Sequence, residues 1–250
     1  QHLYAEAGNV AMEDRRINKY LADSGFCSRR EADRLVEQGK VRINGQPAKI
    51  GDRVQPSDHV VVGNRAIRSQ SDKVYIAAYK PVGIVSTADP GEPMNIVDFI
   101  NYPARIYPIG RLDKDSEGLI LLTSDGDIVN RILRAAGRHE KEYEVTVDRP
   151  VTDDFIARMA KGVPVLGRMT LPCRARKTGP RSFRIILVQG LNRQIRRMCE
   201  YLGFGVTGLK RLRVMNVHLG GMRPGQWRLL SDSELSALKK ALDQNNGKQA

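Results

Sequence analysis

The stretch GRLDKDSEGLILLTSDGD, residues 110–127, places five carboxylates beside Arg111 and carries a continuous apolar run. Two readings compete for it. Asp113, Asp115, Glu117 and Gly118 fit the first half of a calcium loop of the helix-loop-helix kind, whose twelfth position should hold a bidentate glutamate. That position is Ser124. The residues after Asp113 run into GLILLT, a short apolar segment of the buried-strand kind. The stretch therefore predicts a turn leading into a strand, and its acids need an explanation other than calcium.

Working outward, VYIAAYKPVGIVST reads as a strand entering a Pro-Gly turn. KEYEVTV alternates, with Tyr143, Val145 and Val147 on one face and Glu142, Glu144 and Thr146 on the other. SFRIILV, LKRLRVMNVHL and GQWRLL supply further strands. Helical periodicity appears in DIVNRILRAA, TDDFIARMA, NRQIRRMCEYL and SDSELSALKKAL, the last opened by a Ser231/Glu234 capping box. The strands do not alternate regularly with the helices. An α+β domain over 72–243 follows, with a mixed, mainly antiparallel sheet flanked by helices. GFGVTG, 203–208, matches a dinucleotide-binding pattern, but a helix precedes it and a strand follows, the reverse of the required order. The tail DQNNGKQA reads as unstructured, and Met12 as the natural start.

Ahead of this domain, Ile17, Tyr20 and Leu21 stand at helical spacing up to Gly25. Ser28 and Glu31 form a second capping box, and Ala32, Leu35 and Val36 give its helix an apolar stripe. Asn44-Gly45 marks a hairpin, and HVVVG adds a strand. The sequence predicts a small module over 14–68 and a linker between about 64 and 72. Arg15, Arg16, Lys19, Arg29, Arg30 and Arg34 crowd its helices and can face phosphates.

Lys and Arg number 41 against 28 Asp and Glu, a net charge of +13 that points to a polyanionic partner. Between Thr170 and Met215 eleven bases face one acid, Glu200, so that ten of the thirteen net charges fall in this window. About six phosphate contacts would give a binding slope against log salt near −4. On the helix 192–202, Ile195, Met198, Cys199 and Leu202 form the buried stripe. Arg193 and Arg197 then point away, and Arg196 lies at the stripe's edge, where it can reach a carboxylate at the sheet surface. Three cysteines without CxxC spacing and four scattered histidines suggest neither disulfides nor zinc. No apolar run approaches the ~20 residues of a membrane span, and the expected location is the cytoplasm.

The helix-loop-helix followed by VRINGQPA resembles the small RNA-binding module first named for a small-subunit ribosomal protein, the S-four type. KPVG at 80–83, GRLDKDSEGLILLTSDGD, KEYEVTV and GLNRQIRRM occur in the order and approximate spacing of the RsuA-type ribosomal RNA pseudouridine synthases. Gln189 and Leu191 at variable places resemble the RluF branch, which acts on large-subunit ribosomal RNA. The resemblance implies an isomerase that breaks the uracil N1–ribose C1′ bond, turns the base and rejoins it through C5, without cofactor or metal. It also implies that Asp113 is the essential acid, acting on the ribose, with Tyr143 against the uracil and Arg196 paired to Asp113. Arg111 would fill the gap left by the extracted base or clamp a phosphate. Lys80, Lys141, Asn192, Arg193, Gln194 and Arg197 would contact RNA.

The implied partner is a ribosomal RNA stem-loop, naked or in a partly assembled large subunit, bound by a monomer. Small-subunit or transfer RNA are alternative substrates for the same chemistry. A non-catalytic ribosome-assembly factor and a metal-dependent nuclease are readings of other classes.

Overall fold

The structure of the protein, a computed structural model, describes residues 15–55, 57–67, 73–103, 105–134 and 139–246. Met12 lies outside them. The chain divides into two compact units, residues 1–73 and 74–250.

The first unit runs β1 (Arg15–Arg16), α1 (Ile17–Asp23), α2 (Arg29–Glu37), β2 (Val41–Ile43), β3 (Gln46–Pro47), β4 (Arg53–Val54), β5 (Val60–Val62) and β6 (Arg65–Ile67). Asn44 and Gly45, with φ of 50° and 80°, make the tight turn between β2 and β3. Ser28 caps α2 by accepting from the Glu31 amide at 3.2 Å, while the Glu31 carboxylate turns to Arg34 instead of closing the box. Ile17, Leu21, Ala32, Val41 and Val60 are fully buried between the helices and the four-stranded sheet β3-β2-β5-β6. Each large aliphatic side chain so buried contributes about 1.5–3 kcal/mol. The linker expected from residue 64 starts later, because β6 pairs with β5 and the Ile67 carbonyl accepts from the buried Tyr20 hydroxyl at 3.2 Å.

The second unit contains β7 (Tyr75–Lys80), α3 (Ile96–Ile100), β8 (Tyr107–Ile109), β9 (Glu117–Thr123), α4 (Gly126–Arg134), β10 (Lys141–Val147) and α5 (Asp153–Lys161). It continues with β11 (Pro164–Val165), β12 (Arg168–Met169), β13 (Arg174–Gly179), β14 (Ser182–Leu187), α6 (Gln194–Tyr201), β15 (Val206–Val214), β16 (Val217–His218), β17 (Trp227–Leu229) and α7 (Asp232–Asn246). Nine strands form one sheet in the order β13-β14-β10-β15-β9-β7-β17, with β16 on β15 and β8 on β9. Only β15 and β9 pair in parallel among the described strands of this sheet.

Burial explains why the strands look different in sequence. In β9, Leu119 and Leu121 pack under α4 and α7, while Ile120 and Leu122 pack with α3 residues on the other side. Both faces are covered, hence the unbroken apolar run. In β10, Val145 and Val147 join Phe155, Phe183, Ile195 and Met198 in one core, while Glu142 and Glu144 remain partly exposed. One covered face gives alternation. LKRLRVMNVHL is two strands, since Met215 at φ 52° turns β15 into β16. The Ser231/Glu234 box opens α7 in both directions, at 3.2 and 2.9 Å. That helix runs on to Asn246, so DQNN is helical and not loose chain.

Candidate active site

The acidic stretch forms a loop between β8 and β9 whose backbone is held at every turn. The Ser86 hydroxyl donates to the Leu112 carbonyl at 2.7 Å and accepts from the Leu112 amide at 3.0 Å. Lys80, fully buried, directs its ammonium to the carbonyls of Pro81, Ile84 and Lys114 at 2.9, 2.7 and 3.4 Å. Burial pulls its pKa down to about 8, offset in part by Asp115 and Asp113. Arg211, also buried, donates to the carbonyls of Leu119 and Arg111. At the loop's exit Gly118 has φ of 111°, and a Cβ there would lie 2.3 Å from the Arg211 carbonyl oxygen. Only glycine allows β9 and β15 to approach so closely.

Three of the five carboxylates have structural partners. Asp115 accepts both guanidinium nitrogens of Arg193 at 2.9 and 2.8 Å, bonds that hold its carboxyl below the usual range against the opposing effect of burial. Glu117 accepts from the Tyr79 hydroxyl at 3.0 Å, and Asp125 from the Tyr75 hydroxyl at 2.6 Å. Nothing is described of the Asp127 side chain. Asp113 differs: its carbonyl accepts from the Ser116 amide at 3.0 Å, but among the described residues its carboxylate oxygens accept no hydrogen bond, and its ion contact is to Arg193 at 3.6 Å. Its side chain is 39% exposed and lines a cavity of about 570 Å³. No three His, Cys, Asp or Glu side chains converge to hold a metal among the described residues.

Tyr143 enters the same cavity from β10, together with Arg111, Lys141, Asn192, Arg193 and Gln194. A bulge places it. Glu142 pairs with Arg213, but Tyr143 pairs with Arg211, so Leu212 is the extra residue and Arg211 stands opposite the tyrosine. The adjacent Lys210 and Arg211 break the alternation of LKRLRV without showing which residue is the extra one. Lys141 beside them has its pKa lowered by burial and then by Arg211.

The arginine that meets Asp113 is Arg193, whereas the sequence assigns that pairing to Arg196. Arg193 is not in the helix; it is the N-cap in left-handed conformation, φ 49°, so a wheel of 100° per residue does not predict its direction. Arg196 is nearly buried and donates to the Asp115 carbonyl and the Ser116 hydroxyl, each at 3.0 Å, with the Asp115 carboxylate at 3.5 Å. Three more residues expected to contact RNA are engaged by the protein itself. Lys80 is internal. Gln194 is buried, accepting from the Leu191 amide and donating to Gln189. Arg197 folds back on the Asn192 carbonyl and side chain at 3.0 Å. Sequence reading missed Ser86 and Ser116, because a short polar residue gives no local sign of which distant loop it will anchor, and it took Gln189 only as a branch marker.

The basic window 170–215 is also altered by folding. Glu140, Glu142 and Glu144, around and within β10, pair with Arg174, Arg213 and Arg184. Asp115 takes Arg193 and Arg196, and Arg211 is internal. Arg176, Lys177 and Lys210 make no ion pair among the described residues, and Lys210 lies over the Tyr79 ring. A window count sees the bases of β13 to β15 but not the acids of the strand between them. In the first unit Arg15 pairs with Asp23 and Arg34 with Glu31, whereas Arg16, Lys19, Arg29 and Arg30 are exposed and make no ion pair among the described residues.

A mixed sheet with an open aspartate in a cavity lined by cations, following a helix-hairpin module in the chain, fits an RNA-modifying enzyme, the class that comparison with known proteins gives. Residues 74–201 match the RNA pseudouridylate synthase family and residues 15–60 the S4 domain; the chain belongs to the RNA pseudouridylate synthase family. It is 60% identical over 230 residues to the dual-specificity RNA pseudouridine synthase RluF of Salmonella typhi, covering 91% of this chain and 80% of that protein. Identity to ribosomal large subunit pseudouridine synthase B of Bacillus subtilis is 33% over 244 residues, covering 94% and 99%. A crystal structure of a pseudouridylate synthase superposes with a TM-score of 0.63 at 29% identity, covering 89% of this chain and 99% of the other.

Proposed function

We propose that this enzyme converts a uridine of large-subunit ribosomal RNA to pseudouridine, with Asp113 as the catalytic residue. The carrying observation is that Asp113 alone among the described acids of its loop faces the cavity without a hydrogen-bonding partner, while the loop around it is pinned by Lys80, Ser86, Arg196 and Arg211. A carboxylate that must meet ribose has to be held in place with its oxygens free, and the open cavity-facing side chain of Asp113 on a pinned loop supports that role. Asp113 engages the sugar, by attack on C1′ or by removal of the 2′ proton. The N1–C1′ bond breaks, the uracil turns, C5–C1′ forms as the Asp113–C1′ bond breaks or the proton returns to C2′, and the C5 proton leaves as N1 gains one. Tyr143 abuts the uracil from β10, and Arg193 keeps positive charge 3.6 Å from the acid. Exposed Arg16, Lys19, Arg29 and Arg30 of the module hold phosphates.

The names of the RluF relatives carry the words dual-specificity, which supports a second RNA substrate for this enzyme as well. The test is tritium release from RNA labelled at uridine C5, on ribosomal RNA fragments and on transfer RNA, with EDTA present. Release proportional to pseudouridine formed is the expected result. RNA fragments that vanish on chelation would indicate a nuclease instead, and binding without release an assembly factor.

A further inference from the structure

The hairpin β11–β12 stands at the rim of the cavity and has no part in the chemistry above. Its two-residue turn, Leu166-Gly167, has φ of 50° and 76°, and a leucine in that conformation costs about 1 kcal/mol relative to its ordinary backbone. The hairpin is nevertheless firmly built. Thr170 is buried, its hydroxyl accepts from the Val163 amide at 2.9 Å, and the Leu171 amide donates to the Gln189 side chain at 3.1 Å. Gln189 lines the cavity and is held in turn by Gln194 at 3.3 Å.

Its two faces differ. Val165 pairs with Arg168 on the inner face; Val165 is buried, and Arg168 reaches the cavity lining. Pro164 pairs with Met169 on the outer face. Leu166, Met169 and Leu171 are 55%, 59% and 48% exposed, three large apolar side chains within six positions. A rigid rim that keeps hydrocarbon in water next to a cation suits a ligand with both phosphates and flat apolar faces. Unstacked nucleotides have that chemistry, and a phosphate-only contact would not need the leucine or the methionine.

We propose that this hairpin grips the RNA beside the target. Leu166 and Met169 pack against the bases flanking the extracted uridine, and Arg168 meets a phosphate at the cavity entrance. This rests on the pseudouridine reading. A uridine paired in a stem must be pulled from its stack, a step that a neighbouring apolar wedge assists and that an already bulged uridine does not need.

The experiment compares single-turnover pseudouridine formation on two ribosomal stem-loops that differ only in whether the target uridine is paired or bulged. The variant is Leu166→Asn/Met169→Ser, since asparagine accepts the left-handed backbone and removes hydrocarbon without adding strain. The expected result is a rate ~10- to 100-fold lower on the paired substrate and within about 2-fold of wild type on the bulged one. Arg168→Ala should raise KM about equally on both. Unchanged rates on both RNAs, or equal losses on both with an unaltered melting temperature, would overturn the proposal. Should the double variant fail to fold, Met169→Ser alone keeps the comparison, with the same two outcomes. A wild-type enzyme inactive on both RNAs would instead defeat the pseudouridine reading.

Discussion

The cations of the first unit and those of the second are built for different tasks. On β1, α1 and α2, Arg16, Lys19, Arg29 and Arg30 are solvated and without ion pairs among the described residues. Around the sheet of the second unit, arginines are instead tied to glutamates in or beside β10, to Asp115, or to backbone carbonyls. A solvated cation can exchange a counterion for a phosphate, whereas a paired one must first give up its partner. The pairing of each charge thus separates what the net charge lumps together: on the function proposed here the module's free cations hold RNA, while most arginines of the catalytic unit brace the protein itself.

The largest effect expected from this division is on chemistry alone. Asp113→Asn should lower turnover by about 10⁴-fold or more while leaving RNA affinity near wild type, as measured by tritium release and filter binding. A comparable loss of affinity would mean the two roles are not separate.

Lys80→Met should destabilise the second unit by about 2–4 kcal/mol in urea unfolding, because the buried Ile84 carbonyl and two part-buried carbonyls lose their donor. The pH dependence has a definite sign. With its folded pKa lowered to about 8 by burial, Lys80 binds fewer protons folded than unfolded between that value and the ordinary 10.5. Its charge is a burden below pH 8 that is relieved as pH rises through the window. The stability gap between wild type and Lys80→Met should therefore widen from pH 7 to pH 10.

Charge removal on the module should act on binding instead. Changing Arg16, Lys19, Arg29 and Arg30 to Gln should reduce the slope of log affinity against log salt by about 3, and changing Arg174 and Arg184 by less than about 1. Equal slopes would erase the distinction. The smallest effect concerns a pair with no RNA role. Glu234, depressed to about 2 by the Arg228 hydrogen bonds and then the Ser231 amide, stabilises the start of α7. Glu234→Gln should cost about 1–2 kcal/mol at neutral pH, a difference that shrinks as pH falls from 4.5 through about 2, as thermal melts would show.

Much of this was legible in the chain. Patterns that depend on neighbours within one turn or one strand were clear, such as KEYEVTV, the Asn44-Gly45 turn and the Ser231 cap. The family motifs marked the loop of Asp113. What stayed hidden depends on partners far away in sequence: the bulge at Leu212, the left-handed Arg193, the burial of Lys80, and the glutamates that neutralise the basic window. Short elements also escaped. α3 has five residues, and β13 is an exposed, mostly polar edge strand with little periodicity to read.

The close meeting of Gly118 and Arg211 carries a consequence for how the molecule comes into being. Arg211 bonds the Leu119 carbonyl from 92 positions away, across the parallel seam of the sheet. Closure of so long a segment is slow, and until β15 has docked the loop lacks the cation beneath it. A half-made chain can therefore complete its front module well before the loop of Asp113 gains the support that β15 brings, so the first unit is finished while the second still waits.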